Sequence, residues 1–372
     1  MSEAARPPVT GKRAEDGAAH GEPRVYAALD LGTNNCRLLI AAPTPRGFRV
    51  LDAFSRIVRL GEGLGRTGRL DAAAMDRALA ALSICADRLR RRGSPQLRAV
   101  ATQACRSAAN GPEFIARVEV ETGLHLHVIT PREEARLSVA GCVNLLDRGC
   151  EAALVVDVGG GSTELSWVDL SELKLDPDRR PPHPERLPIK AWLSIPIGVV
   201  TLAERFPEDR DGRQEWFRAM VEAVKAEIAP FGRADDLRPV FDADRAHLIG
   251  TSGAITSLAG LHLDLPRYER SRVDGLWMTR RDCEVAAERL IALTAGERAE
   301  QPCIGADRAD LVLAGAAILQ AVQELWPCSR VRVADRGLRE GLLMSLMAKP
   351  PRRRRRSGRR GSQGASQPGG SQ

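Results

Sequence analysis

The chain has 372 residues, with 55 lysines and arginines against 48 aspartates and glutamates, a formal net charge of +7. Residues 349–372 hold eight of the positive charges and no negative one, and residues 1–23 hold three positive and four negative, so 24–348 balances at 44 against 44. A uniformly basic body of the nucleic-acid-binding kind is thereby excluded, and the excess charge sits in a tail. A hydrophobic content of 43% excludes global disorder. The eight cysteines contain no C-x-x-C pair, which excludes a zinc ribbon and a disulfide-rich secreted fold. There is no apolar run of about 18 residues and no signal-type leader, so a cytoplasmic chain without a membrane partner is expected.

Residues 1–23 read as a polar, disordered leader. Val25 to Leu31 is an apolar strand, Gly32 to Asn35 a turn, and Cys36 to Ala42 a returning strand; a third follows near Phe48 to Ser55, completing a β-meander. The apolar period predicts a helix over 71–92. Leu97 to Ala101 is a strand, a helix follows Asn110 with Gly123 past its end, and Leu124 to Ile129 is a further strand. Thr130-Pro-Arg-Glu133 is a capping-box pattern that opens a helix reaching about Leu146. Ala152 to Val158 is then a strand, Gly159 to Glu164 a turn, and Leu165 to Val168 a returning strand. This repeats the N-terminal hairpin, with Asp30 and Asp157 at matching strand ends, and indicates two related halves. Residues 172–188 read as a surface insertion. Strands at 192–197, 246–249 and 331–333 then alternate with helices near 213–229, 280–295, 308–326 and 338–348. Residues 349–372 read as a disordered Arg-rich tail.

Three Gly/Ser/Thr turns follow apolar strands: Gly32, Thr33, Asn34 and Asn35; Gly159, Gly160, Gly161, Ser162 and Thr163; and the turn holding Ser252 and Gly253. Such turns present backbone N–H groups to an anion without side-chain obstruction. One would read as a tight hairpin; three at strand ends point to a phosphate-binding cleft. None matches a P-loop or a dinucleotide fingerprint. Asp30, Asp157 and Glu164 border two of the turns. Carboxylates beside phosphate call for a counter-cation, Mg²⁺ held partly through water, although an Asx-turn would also use an aspartate there. Glu133 occupies the capping position. Glu134 is free to face a cleft, where a carboxylate can orient and deprotonate water or simply favour the helix dipole. Arg106 follows a strand in a loop; a lone arginine there is usually solvated, but it could also clamp a phosphate bidentately.

The motifs Tyr26 to Asn35, Ala101 to Asn110, Arg132 to Leu137, Val156 to Glu164, Gly250 to Ala254 and Ala334 to Gly341 occur in an order that resembles the exopolyphosphatase / guanosine pentaphosphatase family of the actin–sugar kinase–Hsp70 superfamily. The resemblance covers about 24–348 and implies an α/β chain with two ribonuclease-H-like domains flanking a cleft, here 24–136 and 137–348. It implies Glu134 as the water-activating base, Asp157 and Glu164 as support for Mg²⁺, Arg106 on phosphate, and the glycine turns on the chain end. The implied substrates are inorganic polyphosphate, releasing orthophosphate, and guanosine pentaphosphate (pppGpp). Homodimers are common in the family. A superfamily kinase acting on a small acceptor and a non-catalytic polyphosphate or nucleotide binder are the alternatives. Pro131-Arg132 replaces the usual glycine before the glutamate pair, and the helical C-terminal domain of longer members is not expected. The Arg-rich tail has no counterpart in the family pattern; it offers a surface for polyphosphate or RNA.

Overall fold

The computed structural model describes residues 24–45, 47–173, 182–209 and 211–348. The expected leader, the Arg-rich tail and residues 174–181 of the insertion lie outside the described residues.

The first half is a five-stranded sheet built from β1 (Tyr26–Leu31), β2 (Asn35–Thr44), β3 (Gly47–Ile57), β4 (Gln96–Ala101) and β5 (His127–Val128), in the order β3-β2-β1-β4-β5. β1 to β3 form the antiparallel meander, and β4 and β5 add in parallel. The strand expected at 124–129 shrinks to two paired residues, since Leu124 and Leu126 are buried against the helical layer instead of extending the ladder. A short helical turn at Leu64–Thr67 and helices α1 (Ala72–Arg91), α2 (Gln103–Ser107), α3 (Gly111–Thr122) and α4 (Pro131–Cys142) complete this stretch of chain. Asp71 caps α1 by accepting from the N–H groups of Ala73 and Ala74. Thr130 caps α4 as expected, but the reciprocal half of the box is not made: the Glu133 carboxylate pairs with Arg98.

The second half holds β6 (Ala152–Val158), β7 (Thr163–Asp169), β8 (Ile189–Ile195), β9 (Ala246–Thr251), β10 (Trp277–Thr279) and β11 (Arg330–Ala334), in the order β10-β11-β9-β6-β7-β8. Its longer helices are α5 (Val199–Arg205), α6 (Arg213–Ile228), α7 (Gly253–His262), α8 (Arg280–Ala292), α9 (Val312–Leu325) and α10 (Leu338–Met347). Read from β8, the order β8-β7-β6-β9-β11 repeats the first sheet strand for strand, with β10 added at the edge. The inferred internal repeat is therefore a repeat of topology. All eight cysteines are free and buried.

Side-chain alternation along the two central strands explains the layers. Ala27, Leu29 and Leu31 of β1 meet α1, while Tyr26 and Ala28 face the other half together with Leu342 and Leu343 of α10. In β6, Leu154 and Val156 meet the large helical core around α9, and Ala153 and Val155 meet Val139 and Ala140 of α4. Thus α4 covers the second sheet and α10 returns to cover the first. Burying Leu342 and Leu343 fully contributes about 4 kcal/mol to that docking. The expected division at 136/137 falls inside α4. The two helices cross at bare backbone: a Cβ on Gly141 would lie 2.0 Å from the Gly337 carbonyl, and one on Gly341 would lie 1.9 Å from the Leu137 carbonyl. This crossing places the C-terminal ends of β1 and β6 opposite one another.

Candidate active site

The inward-facing series of β1 ends in Asp30 and that of β6 ends in Asp157, so both aspartates reach the space between the halves. Each begins the same turn. Gly32 N–H donates to the Asn35 carbonyl at 2.9 Å, and Gly159 N–H donates to the Ser162 carbonyl at 2.9 Å. Opposite Asp30 in register stands Arg37; opposite Asp157 stands Glu164.

The turns meet across the gap. A Cβ on Gly160 would lie 3.0 Å from the Asn34 nitrogen, and one on Gly161 would lie 2.7 Å from the Thr33 hydroxyl. Behind the triglycine turn, Gly159 and Gly160 carbonyls accept from the first amides of α5, Val199 and Val200, at 2.9 and 2.8 Å. On the other side, the Thr33 and Asn34 carbonyls accept from Gly61, Val58 and Arg59. With the carbonyls engaged from behind, the N–H groups of Thr33, Asn34, Gly160, Gly161 and Ser162 donate to no protein group among the described residues. Five free amides on turns that line one space are donors of the kind an anion can accept from.

That space is a cleft of about 450 Å³. Its lining includes Asp30, Gly32 to Asn35, Glu134, Asp157, Gly159 to Ser162, Ser252 and Gly253. Three expected site residues stand behind this wall. The Thr163 hydroxyl donates to the Ile197 carbonyl at 2.7 Å and serves the turn. Glu164 is buried and accepts from Ser194 at 2.8 Å. Arg106, on α2, does not line the cleft. Both of its terminal nitrogens lie 3.2 Å from Glu134 Oε2, and it also donates to the Ile129 carbonyl and Gln103 Oε1, each at 2.6 Å. Glu134 is 8% exposed, and the guanidinium holds its carboxylate in place.

The carboxylates titrate high chiefly because they are buried. Burial pushes Asp30 up to about 6, against the attraction of Arg37 and Arg339. Burial and the Asp157 charge push Glu164 up to about 7. Burial raises Asp157 too, against the Ser138 hydrogen bond and Arg37. Glu134 is driven well above the usual carboxylate range by burial first and by Glu164 second, with Arg106 opposing.

Among the described residues no three His, Cys, Asp or Glu side chains converge as a cage for a metal ion. Asp30 Oδ1, however, is buried without a hydrogen-bond partner. An orphaned oxygen in a cleft shared with Asp157 suits a cation that keeps water and takes phosphate oxygens for its remaining ligands, as Mg²⁺ does.

Sequence alone did not single out the four cations of the lining: Arg37, Arg308, Arg336 and Arg339. Arg336 pairs with Asp274, whereas Arg37, Arg308 and Arg339 enter no ion pair among the described residues. Arg37 had a visible signal, a charge inside the apolar run Cys36 to Ala42. Arg339 lies in the Ala334–Gly341 motif, whereas Arg308 precedes α9 with no local pattern to mark it. Ser252 adds strain to the third turn: its φ is 111°, unusual for a residue with a Cβ, and its buried Oγ has no partner.

Two topologically matched halves of actin-like architecture enclose a cleft lined by carboxylates and backbone amides. The sequence model of the Ppx/GppA phosphatase family matches residues 39–350, and the chain belongs to that family. The Aquifex aeolicus member of the Ppx/GppA family is 27% identical, with a TM-score of 0.68 over 87% of this chain and 97% of that one. An exopolyphosphatase-like protein is 28% identical, with a TM-score of 0.72 over 87% of this chain and 98% of its own. An exopolyphosphatase from Cytophaga hutchinsonii, 24% identical, shares the fold with a TM-score of 0.74 over 87% of this chain and 97% of that one.

Proposed function

We propose that this phosphatase hydrolyses the terminal phosphoanhydride of inorganic polyphosphate and releases orthophosphate. The observation that carries the reading is Glu134: a buried carboxylate, clamped by Arg106, in a lining shared with the turns of the five free amides. In this reading the amides of the two turns hold the terminal phosphoryl oxygens. Arg37, Arg308 and Arg339 neutralise the phosphates behind it. Glu134 orients a water in line with the terminal phosphorus and takes its proton as the P–O bond to the chain breaks. Asp30 and Asp157 would hold Mg²⁺, with Glu164 behind Asp157. The ion, when bound, supplies charge stabilisation to the phosphate oxygens.

A second substrate, pppGpp, is favoured by apolar side chains in the cleft lining, among them Ala254, Ile304, Leu311, Val312 and the ring of Tyr268. A phosphate chain has no surface to place on them, whereas a nucleoside does. The test is a side-by-side measurement of orthophosphate release from short polyphosphate, long polyphosphate, pppGpp and ATP with Mg²⁺ present, for the parent and for Glu134→Gln. We expect release from polyphosphate that falls about 10³-fold in the variant. Release that survives Glu134→Gln within tenfold, or a parent that acts on none of the four, sinks the assignment.

A further inference from the structure

Ser138 lies one helical turn after Glu134 on α4, so the two side chains share a face of that helix. A serine inside a helix commonly bonds back to the carbonyl four residues earlier. Ser138 does not. It is 1% exposed, and its hydroxyl crosses to the second sheet, donating to Asp157 Oδ2 at 2.6 Å. The same carboxylate oxygen is hemmed in from the other side. A Cβ on Gly337 would lie 3.5 Å from Ser138 Oγ, 3.3 Å from Thr251 Oγ1 and 3.9 Å from Asp157 Oδ2, so the backbone at 337 closes over this contact. Oδ2 is therefore committed to the protein, and Oδ1 is the atom left for the cleft.

We propose that Ser138 is a positioning residue: it fixes the Asp157 carboxylate in register with Glu134, tying the cation-binding and water-activating groups to one turn of α4. The inference rests on the function proposed above. Without the hydroxyl, Asp157 rotates about its side-chain torsions and the oxygen presented to a cation is no longer held. Outer partners of this kind orient metal-binding carboxylates, and their loss typically weakens metal binding by tenfold or more.

The experiment compares the full-length parent with Ser138→Ala and Ser138→Cys. Cysteine fills the site but is a weak hydrogen-bond donor, and it carries the test if the alanine variant misfolds. Mn²⁺ affinity of each protein alone is read by electron paramagnetic resonance, and kcat and KM are read on short polyphosphate. Both variants are expected to bind Mn²⁺ about tenfold more weakly than the parent, with kcat reduced by a similar factor and KM for polyphosphate within twofold. Parent-like Mn²⁺ affinity in the alanine variant overturns the inference. So does recovery of both readouts by cysteine, which would make the residue a space-filler. A parent that binds no Mn²⁺ overturns the inference and the cation reading together. A parent that binds Mn²⁺ but hydrolyses nothing overturns the proposed function, while the binding comparison still decides the role of Ser138.

Discussion

The buried carboxylate of Asp30 makes folding stability depend on pH in a direction opposite to that of an ordinary surface acid. Its folded value is about 6, against 3.8 for the free group. The native state therefore binds a proton over that interval that the unfolded chain has released, and stability falls as pH rises from about 4 to about 6. Two units at about 1.4 kcal/mol each amount to about 3 kcal/mol, a melting shift of roughly 6 °C for a chain of this size. Asp30→Asn removes the titration, so its melting temperature should drop less across the interval than that of the parent. The orphaned Oδ1 gives the second half of the experiment. If the cation binds there, Mg²⁺ restores what deprotonation costs, and it does so only where Asp30 is ionised. At 100 times its dissociation constant a single bound ion contributes about 2.7 kcal/mol. Differential scanning fluorimetry of both proteins at pH 4.5, 6 and 8, with and without Mg²⁺, reads these terms separately. Parallel curves for parent and Asp30→Asn would refute the burial argument. A Mg²⁺ shift equal at pH 4.5 and pH 8, or undiminished in Asp30→Asn, would refute the cation site.

Three further outcomes follow from contacts in and behind the cleft. Arg106→Ala removes the cation that holds Glu134 down against burial, so the acid limb of the pH–rate profile moves upward and kcat at neutral pH falls about 10²-fold; an unchanged limb would show that Arg106 acts elsewhere. Gly160→Ala inserts a Cβ 3.0 Å from the Asn34 nitrogen and should separate the two turns, cutting orthophosphate release more than tenfold while the melting temperature moves by only a few degrees; equal losses of both would argue for a purely structural glycine. Gly341→Ala has no such latitude. Its Cβ would lie 1.9 Å from the Leu137 carbonyl, and the helix crossing must part, a loss of about 3 kcal/mol or more seen as poor soluble yield or a melting temperature lowered by several degrees.

The main elements were legible because their signals are local. β1 and β6 are apolar on both faces, their turns are marked by glycine, and Thr130 with Pro131 announces α4. Asp30, Glu134, Asp157 and the turn glycines could be named because each stands at the end of such an element. What was not legible depends on contacts far apart in the chain. Arg106 carries no local sign that Glu134, 28 residues on, is its partner. Thr163 belongs to the glycine turn by sequence, yet the carbonyl it meets is on Ile197. Glycines 141 and 341 look like ordinary helix residues until the two helices cross, 200 positions apart. The parity that sends Arg37 and Glu164 to equivalent places is readable in retrospect, since each lies seven residues after its aspartate. Their opposite charges concealed the match.

That difference in charge bears on how a body with balanced charge can hold a polyanion. Asp30, Glu134 and Asp157 line the cleft, Glu164 is buried behind them, and all four are held above their usual range mainly by burial. Left ionised, they would repel phosphate. The first half answers with Arg37 opposite Asp30, and Arg308 and Arg339 line the same space from the second half. The second turn has no such arginine, because Glu164 occupies the equivalent place. On that side a cation at Asp157 would supply the missing positive charge. Phosphate and cation would then each neutralise what disfavours the other, and by linkage each would tighten the other's binding. Attraction to the substrate would follow from this local pairing of arginines on one turn and a cation on the other. It would owe nothing to the net charge of the body.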